Sequence, residues 1–202
     1  DVTNLDDAGP VSLRSCLTAL GPRMVFFRVG GTIRQTSGPI RIIEPFLTVA
    51  GQTAPGGGIQ LNGKDISEDM INIYTHDVVF RYIRIRKGKG PATGPDEGHP
   101  VFIAQGAFNV VLDHVSLAWT EDENFTVFGN GGPPRSITLQ WSIIAEPLAQ
   151  HPTNALVGAH EGTTANDITN APYYFILLLF LNSISSLFTI MPYFLSIPII
   201  TP

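Results

Sequence analysis

The sequence predicts an all-β fold, a single-domain solenoid of stacked coils, on three observations. The first is composition: the 202 residues hold 20 Gly and 16 Pro beside many Val, Ile, Thr and Phe, and only 14% are charged. That balance suits short strands joined by many turns. The second is a repeated frame. "VVFRYIRI" from Val78, "VVLDHVSL" from Val110 and "ITLQWSII" from Ile137 each read apolar-x-apolar-x-x-x-x-apolar, two stretches with the strand period separated by a dipeptide that breaks it. The third is spacing. The copies start 32 residues apart (Val78 to Val110) and then 27 apart (Val110 to Ile137), within the range of repeats that bury their faces only against their neighbours. A sandwich of look-alike strands is the alternative.

The elements follow in chain order. The opening "DVTNLDDAGP" has no charged start followed by an apolar run, so no signal peptide is visible, and a cleaved one would leave the same picture. Cys16 is the only cysteine, which excludes an internal disulfide and suits a small packed side chain. "FLTVAGQT" from Phe46 is an earlier, degenerate copy of the frame. "TAPGGG" (Thr53 to Gly58) lacks the Lys-Ser/Thr of a phosphate loop and reads as a turn. If coils stack, the dipeptides Arg81-Tyr82, Asp113-His114 and Gln140-Trp141 lie one above another along an edge, with Asp113 and His114 pointing outward. "KGKGPATGPDEGHP" and "GNGGPP" are the long connections. Trp119 and Trp141 either present their rings as stacking surfaces for a ligand or fill core space. "NFT" at Asn124 is a glycosylation sequon only in a eukaryotic secretory pathway.

Two further features concern chemistry. Glu121, Asp122 and Glu123 are consecutive carboxylates, which repel one another and persist around a hard cation or as a solvated turn. The net charge of -5 offers no basic face for nucleic acid, so a bound polyanion needs local cations or a metal.

"VTNLDDAGPVSLR", "FLTVAGQTAPGGG", "VVFRYIRIRKG", "NVVLDHVSLAW" and "ITLQWSIIAE" occur in that order between Val2 and Gly158. Together they resemble the pectate lyases of polysaccharide lyase family 1. The resemblance implies a right-handed parallel β-helix over residues 1–170, secretion, calcium as cofactor and β-elimination on polygalacturonate. It implies calcium ligands at Asp96 and Asp122, with Glu121 or Glu123 in support. Arg81, Arg84 and Arg86 are the expected contacts to an acidic polysaccharide, and a monomer is expected. Asp122→Asn is expected to weaken calcium binding and to leave calcium-free stability equal or higher, because carboxylate repulsion is relieved.

The sequence also departs from the family. Its usual His-x-Lys before a small apolar run is "HPTNALVG" here, with Thr153 in place of lysine, and no Lys or Arg follows Arg135. His151 and Arg84 are the remaining candidates for the base. A non-catalytic binder of acidic polysaccharide is therefore the second functional reading. Residues 171–202 change to Phe, Ile, Leu, Tyr, Ser and Pro, including an uncharged run from Tyr173 to Met191. An altered chain end is the first reading of this segment, a membrane anchor the second and a hydrophobic cap the third.

Overall fold

The computed structural model describes residues 1–91, 98–129, 131–148 and 153–158, together with strand backbone at 174–176 and 187–190. Strands β1 (Arg23–Phe26), β4 (Leu47–Ala50), β7 (His76–Arg81), β10 (Phe108–Asp113), β13 (Arg135–Gln140) and β16 (Tyr174–Ile176) stack into one sheet. A second contains β2 (Gly31–Arg34), β5 (Ile59–Asn62), β8 (Ile83–Arg86), β11 (Ser116–Ala118) and β14 (Ile143–Ala145). The third contains β3 (Ile40–Ile42), β6 (Ile71–Ile73), β9 (Val101–Ile103), β12 (Phe125–Phe128), β15 (Thr153–Gly158) and β17 (Leu187–Ile190). Every pairing is parallel, and the chain visits the three sheets in turn, so each pass is one coil of a β-solenoid.

The repeated frame explains this arrangement. Val78, Val110 and Ile137 are register partners in the first sheet, as are Phe80, Leu112 and Leu139. All six lie within 3% exposure, in one continuous apolar core. Burying each such side chain contributes roughly 1.5 to 3 kcal/mol. Ser142 takes the sixth place of the third copy, where Ile83 and Val115 stand in the others. It is buried, donates to the Gln140 carbonyl at 2.7 Å and accepts from the Val115 amide at 3.1 Å. Its hydroxyl is therefore satisfied inside the core. The copy near Phe46 begins one residue later than the sequence suggests, because Leu47, not Phe46, is the partner of Val78.

The bends align as expected. Arg81, Asp113 and Gln140 are partners, and Tyr82, His114 and Trp141 follow them with φ of 55°, 55° and 50°. A matching column at the start of the first sheet consists of Phe46, Asp77, Asn109 and Ser136, with φ between 53° and 60°. Left-handed backbone is uncommon in residues other than glycine, so its recurrence on successive coils marks a designed corner. Gly51 takes the corner in the coil below, where an added Cβ would lie 2.4 Å from the Arg81 carbonyl oxygen. Rings stack along both columns: Tyr82 on His114 at 4.5 Å, and His76 on Phe108 at 4.5 Å.

Asp113 corrects one expectation. It does not point into solvent; it is 4% exposed, accepts from Arg81 Nε at 2.7 Å and pairs with His114 Nδ1 at 2.7 Å. Helix α1 (Leu13–Leu17), capped by the Ser12 hydroxyl, adds Leu13 and Leu17 to the first coil's core. Among the described residues no helix is long and apolar enough to cross a membrane. Within the run from Tyr173 to Met191 the described backbone is strand, paired in parallel with β13 and β15.

Candidate functional site

The turn from Trp119 to Asn124 joins the second sheet to the third, between β11 and β12. It is pinned at several points. The Thr120 hydroxyl donates to the Gly98 carbonyl at 2.9 Å and accepts from the Asp122 amide at 3.3 Å. The Asn124 side-chain amide donates to Ala145 O and to Asn154 Oδ1, both at 3.2 Å, tying the turn to the next coil.

This anchoring pulls the acidic run inward. Glu121, Asp122 and Glu123 are 5%, 9% and 5% exposed, so the turn is not solvated. Buried carboxylates need cations or donors, and Lys89 and His99 are among those that meet them within the described residues. Lys89 Nζ lies 3.4 Å from Glu121 Oε1. His99, at the end of the preceding coil's long connection, directs Nε2 to Glu123 Oε2 at 3.0 Å and to Asp122 Oδ2 at 3.4 Å. Its Nδ1 and its backbone amide both meet Asp69 Oδ1, at 2.8 and 2.9 Å. Asn72 donates to the other Asp69 oxygen at 2.5 Å. Burial opposes charge on the imidazole, but the hydrogen bonds that it donates to Asp122, Asp69 and Glu123 outweigh this, and the His99 pKa is pushed up to about 11. Asp69 is held below the ordinary carboxylate value: burial works against this, and His99 and Asn72 prevail.

The cluster faces a cleft of about 430 Å³ lined by Ser67, Glu68, Asp69, Gly98, His99 and Asp122. One ligand atom each from His99, Asp122 and Glu123 lies within 4.8 Å of the others, spacing that would hold an ion. Glu121 Oε2 is buried with no hydrogen-bond partner. The paired carboxylates of Asp122 and Glu123 fit a hard, oxygen-preferring cation, and such a cation would compete with His99 for the same oxygens.

The expected residues therefore divide. Asp122 and Glu123 come together at His99, Glu121 is buried beside them in sequence and meets Lys89 instead, and Asp96 and His151 lie outside the described residues. The three arginines occupy two places. Arg81 belongs to the corner column and is held by Asp113. Arg84 and Arg86 stand on the outer face of the second sheet, in register with Ser116 and Ala118. Arg84 donates to Gly57 O at 2.6 Å. Arg86 donates to Ser116 O and Oγ, each at 2.8 Å. Its pKa is lowered, by burial and then by Arg84, against an opposing pull from Glu146.

Sequence reasoning missed His99 and Asp69. His99 stands in the same "TGPDEGHPVFI" segment as Asp96, immediately before Pro100 and β9. Its adjacency to a proposed ligand was the available signal. Asp69 carried none, because only coil stacking brings residues 69, 99 and 122 together.

The chain is similar to proteins named probable pectate lyase C from three fungi. Identity is 39% over 163 residues for Neosartorya fischeri and for Aspergillus fumigatus, covering 81% of this chain and 36% of each relative. For Emericella nidulans it is 37%, covering 81% and 35%. The chain thus spans about a third of the length of the curated relatives it matches. No family model matches it.

Proposed function

The chain belongs to the pectate-lyase-like family, and from that premise we propose that its reaction is calcium-assisted β-elimination on a uronate polymer such as polygalacturonate. One observation carries the reading: the buried carboxylates of Asp122 and Glu123 meet at His99, where Asp122 lines an open cleft, and the turn that bears them follows β11, the strand in register with Arg84 and Arg86. Removing the proton next to a uronate carboxylate leaves an enolate-like dianion, which needs positive charge on the carboxylate and a base within reach of the carbon-bound proton. Glu121, Asp122 and Glu123 are the proposed ligands for calcium, with Asp96 as a further one. When bound, calcium supplies charge beside the substrate carboxylate. Arg84 and Arg86 orient the anionic sugar, while Arg81, committed to Asp113, is left to the architecture. Arg84 and His151 remain the proposed candidates for the base. Secretion as a monomer is proposed with this activity.

The test mixes the protein with polygalacturonate and calcium and follows ultraviolet absorbance of the unsaturated product. Product formation that stops on chelation supports the reading; cleavage yielding only saturated ends replaces it with hydrolysis. Thr153 in place of the family's usual lysine favours a second reading: an acidic-polysaccharide binder without turnover. Calorimetric titration with oligogalacturonate separates the two, since binding without product selects the binder.

A further inference from the structure

Trp119 is a bulky residue in left-handed backbone, with φ of 69°, and the residue is 41% exposed. Exposure and an uncommon backbone conformation together need a cause. The surroundings hold this geometry firmly. The Trp119 amide donates to Glu146 O at 3.1 Å, and the indole Nε1–H donates to Glu146 Oε2 at 2.8 Å. Arg86 Cζ lies 5.5 Å from the ring centroid, with the guanidinium held by Ser116. Two residues on, Glu121 meets Lys89, and the buried acidic run begins.

The other tryptophan is different. Trp141 belongs to the corner column, 6.4 Å from His114 and 23° from parallel to it. Among the described residues no other aromatic ring stacks on Trp119. Both tryptophans are exposed, so neither fills core space.

An oriented indole beside a fixed guanidinium suits one ligand chemistry. A uronate ring has an apolar C–H face that covers an aromatic ring and a carboxylate that a guanidinium binds through charge-assisted hydrogen bonds. We infer that Trp119 is a docking platform for a uronate ring at the rim of the acidic cleft, with Arg86 taking that ring's carboxylate and Glu146 holding the indole in position. The inference rests on the proposed function and names the residue that would select acidic over neutral sugars.

The chain has two tryptophans, so each can serve as the sole reporter. In Trp141→Phe, titration with oligogalacturonate and calcium should change Trp119 emission saturably, and a neutral glucan of equal length should not. In Trp119→Phe the remaining Trp141 emission should stay constant. By calorimetry, Trp119→Ala should bind oligogalacturonate about tenfold more weakly than wild type, with Trp119→Phe between them. If wild type binds but Trp119 emission does not respond and Trp119→Ala keeps full affinity, the platform is overturned and the proposed function stands. If wild type does not bind oligogalacturonate at all, the proposed function falls and takes the platform with it.

Discussion

Two bends of the same coil, Asp113-His114 and the turn from Trp119 to Asn124, both bury acidic side chains, yet they are built differently. At the first bend each oxygen of Asp113 has a partner, Arg81 or His114, and the neighbouring coils repeat the corner with Arg81-Tyr82 and Gln140-Trp141. At the second, three consecutive carboxylates are buried, one oxygen of Glu121 has no hydrogen-bond partner, and the cation that meets Asp122 and Glu123, His99, comes from a long connection. Repetition with full satisfaction marks architecture. Departure from the repeat, with a buried oxygen left unpaired, is where the ligand site is proposed. The predictions follow from this difference.

The largest effect should come from the architectural bend. Asp113→Ala leaves Arg81 and His114 without their shared carboxylate, and should lower stability by about 3 kcal/mol while leaving any calcium-dependent rise in melting temperature unchanged. A loss of the calcium response with little loss of stability would reverse the assignment of the two bends.

His99 should give the next effect. Its folded pKa of about 11 lies above the ordinary 6.5, so its contribution to stability is fully present below about pH 6.5 and is lost as pH rises towards 11. In chelator, His99→Gln should lose about 1 to 3 kcal/mol at pH 6, and its stability should decline less than that of wild type between pH 6 and 10. Parallel pH profiles for the two proteins would show that the imidazolium is not what holds the carboxylates.

Asp122→Asn sharpens the comparison further, and the structure changes the sign expected from sequence. Carboxylate repulsion alone predicts equal or greater stability without calcium. With the charged His99 3.4 Å from Asp122, the substitution removes attraction as well, and calcium-free stability should fall by about 1 kcal/mol. Thermal melts with and without calcium test this, and the calcium-induced rise should shrink in the variant. A rise in calcium-free melting temperature would return the turn to simple repulsion. Smallest of all, Tyr82→Leu removes one ring from the corner stack and should cost about 0.5 kcal/mol, measured by chemical denaturation, with no effect on calcium binding.

The fold was legible because its rule is local. Alternating apolar residues around a breaking dipeptide occur within eight residues, and stacking alone then aligns Val78, Val110 and Ile137. Half of the site was legible for the same reason: Glu121, Asp122 and Glu123 are contiguous. The rest was not, because His99 and Asp69 approach the acidic turn only once neighbouring coils are in register. The environment of Asp113 escaped for a related reason. An outward bend exposes a side chain unless the coil below places an arginine over it, and the position of Arg81 depends on the stack.

The two left-handed columns have a consequence beyond stability. They fix both ends of the first sheet on successive coils, so β7, β10 and β13 run from His76 to Arg81, Phe108 to Asp113 and Arg135 to Gln140 without a shift in register. The passage from the second sheet to the third varies freely, from the short turn at Trp119–Asn124 to the long connection between Arg86 and Val101. Doubling the length of a flexible loop costs only about 0.6 kcal/mol in closure entropy. The molecule therefore separates a ruler from a workshop: one side keeps count of the coils, and the other can lengthen or shorten its connections beside the cleft at little entropic cost and without disturbing that count.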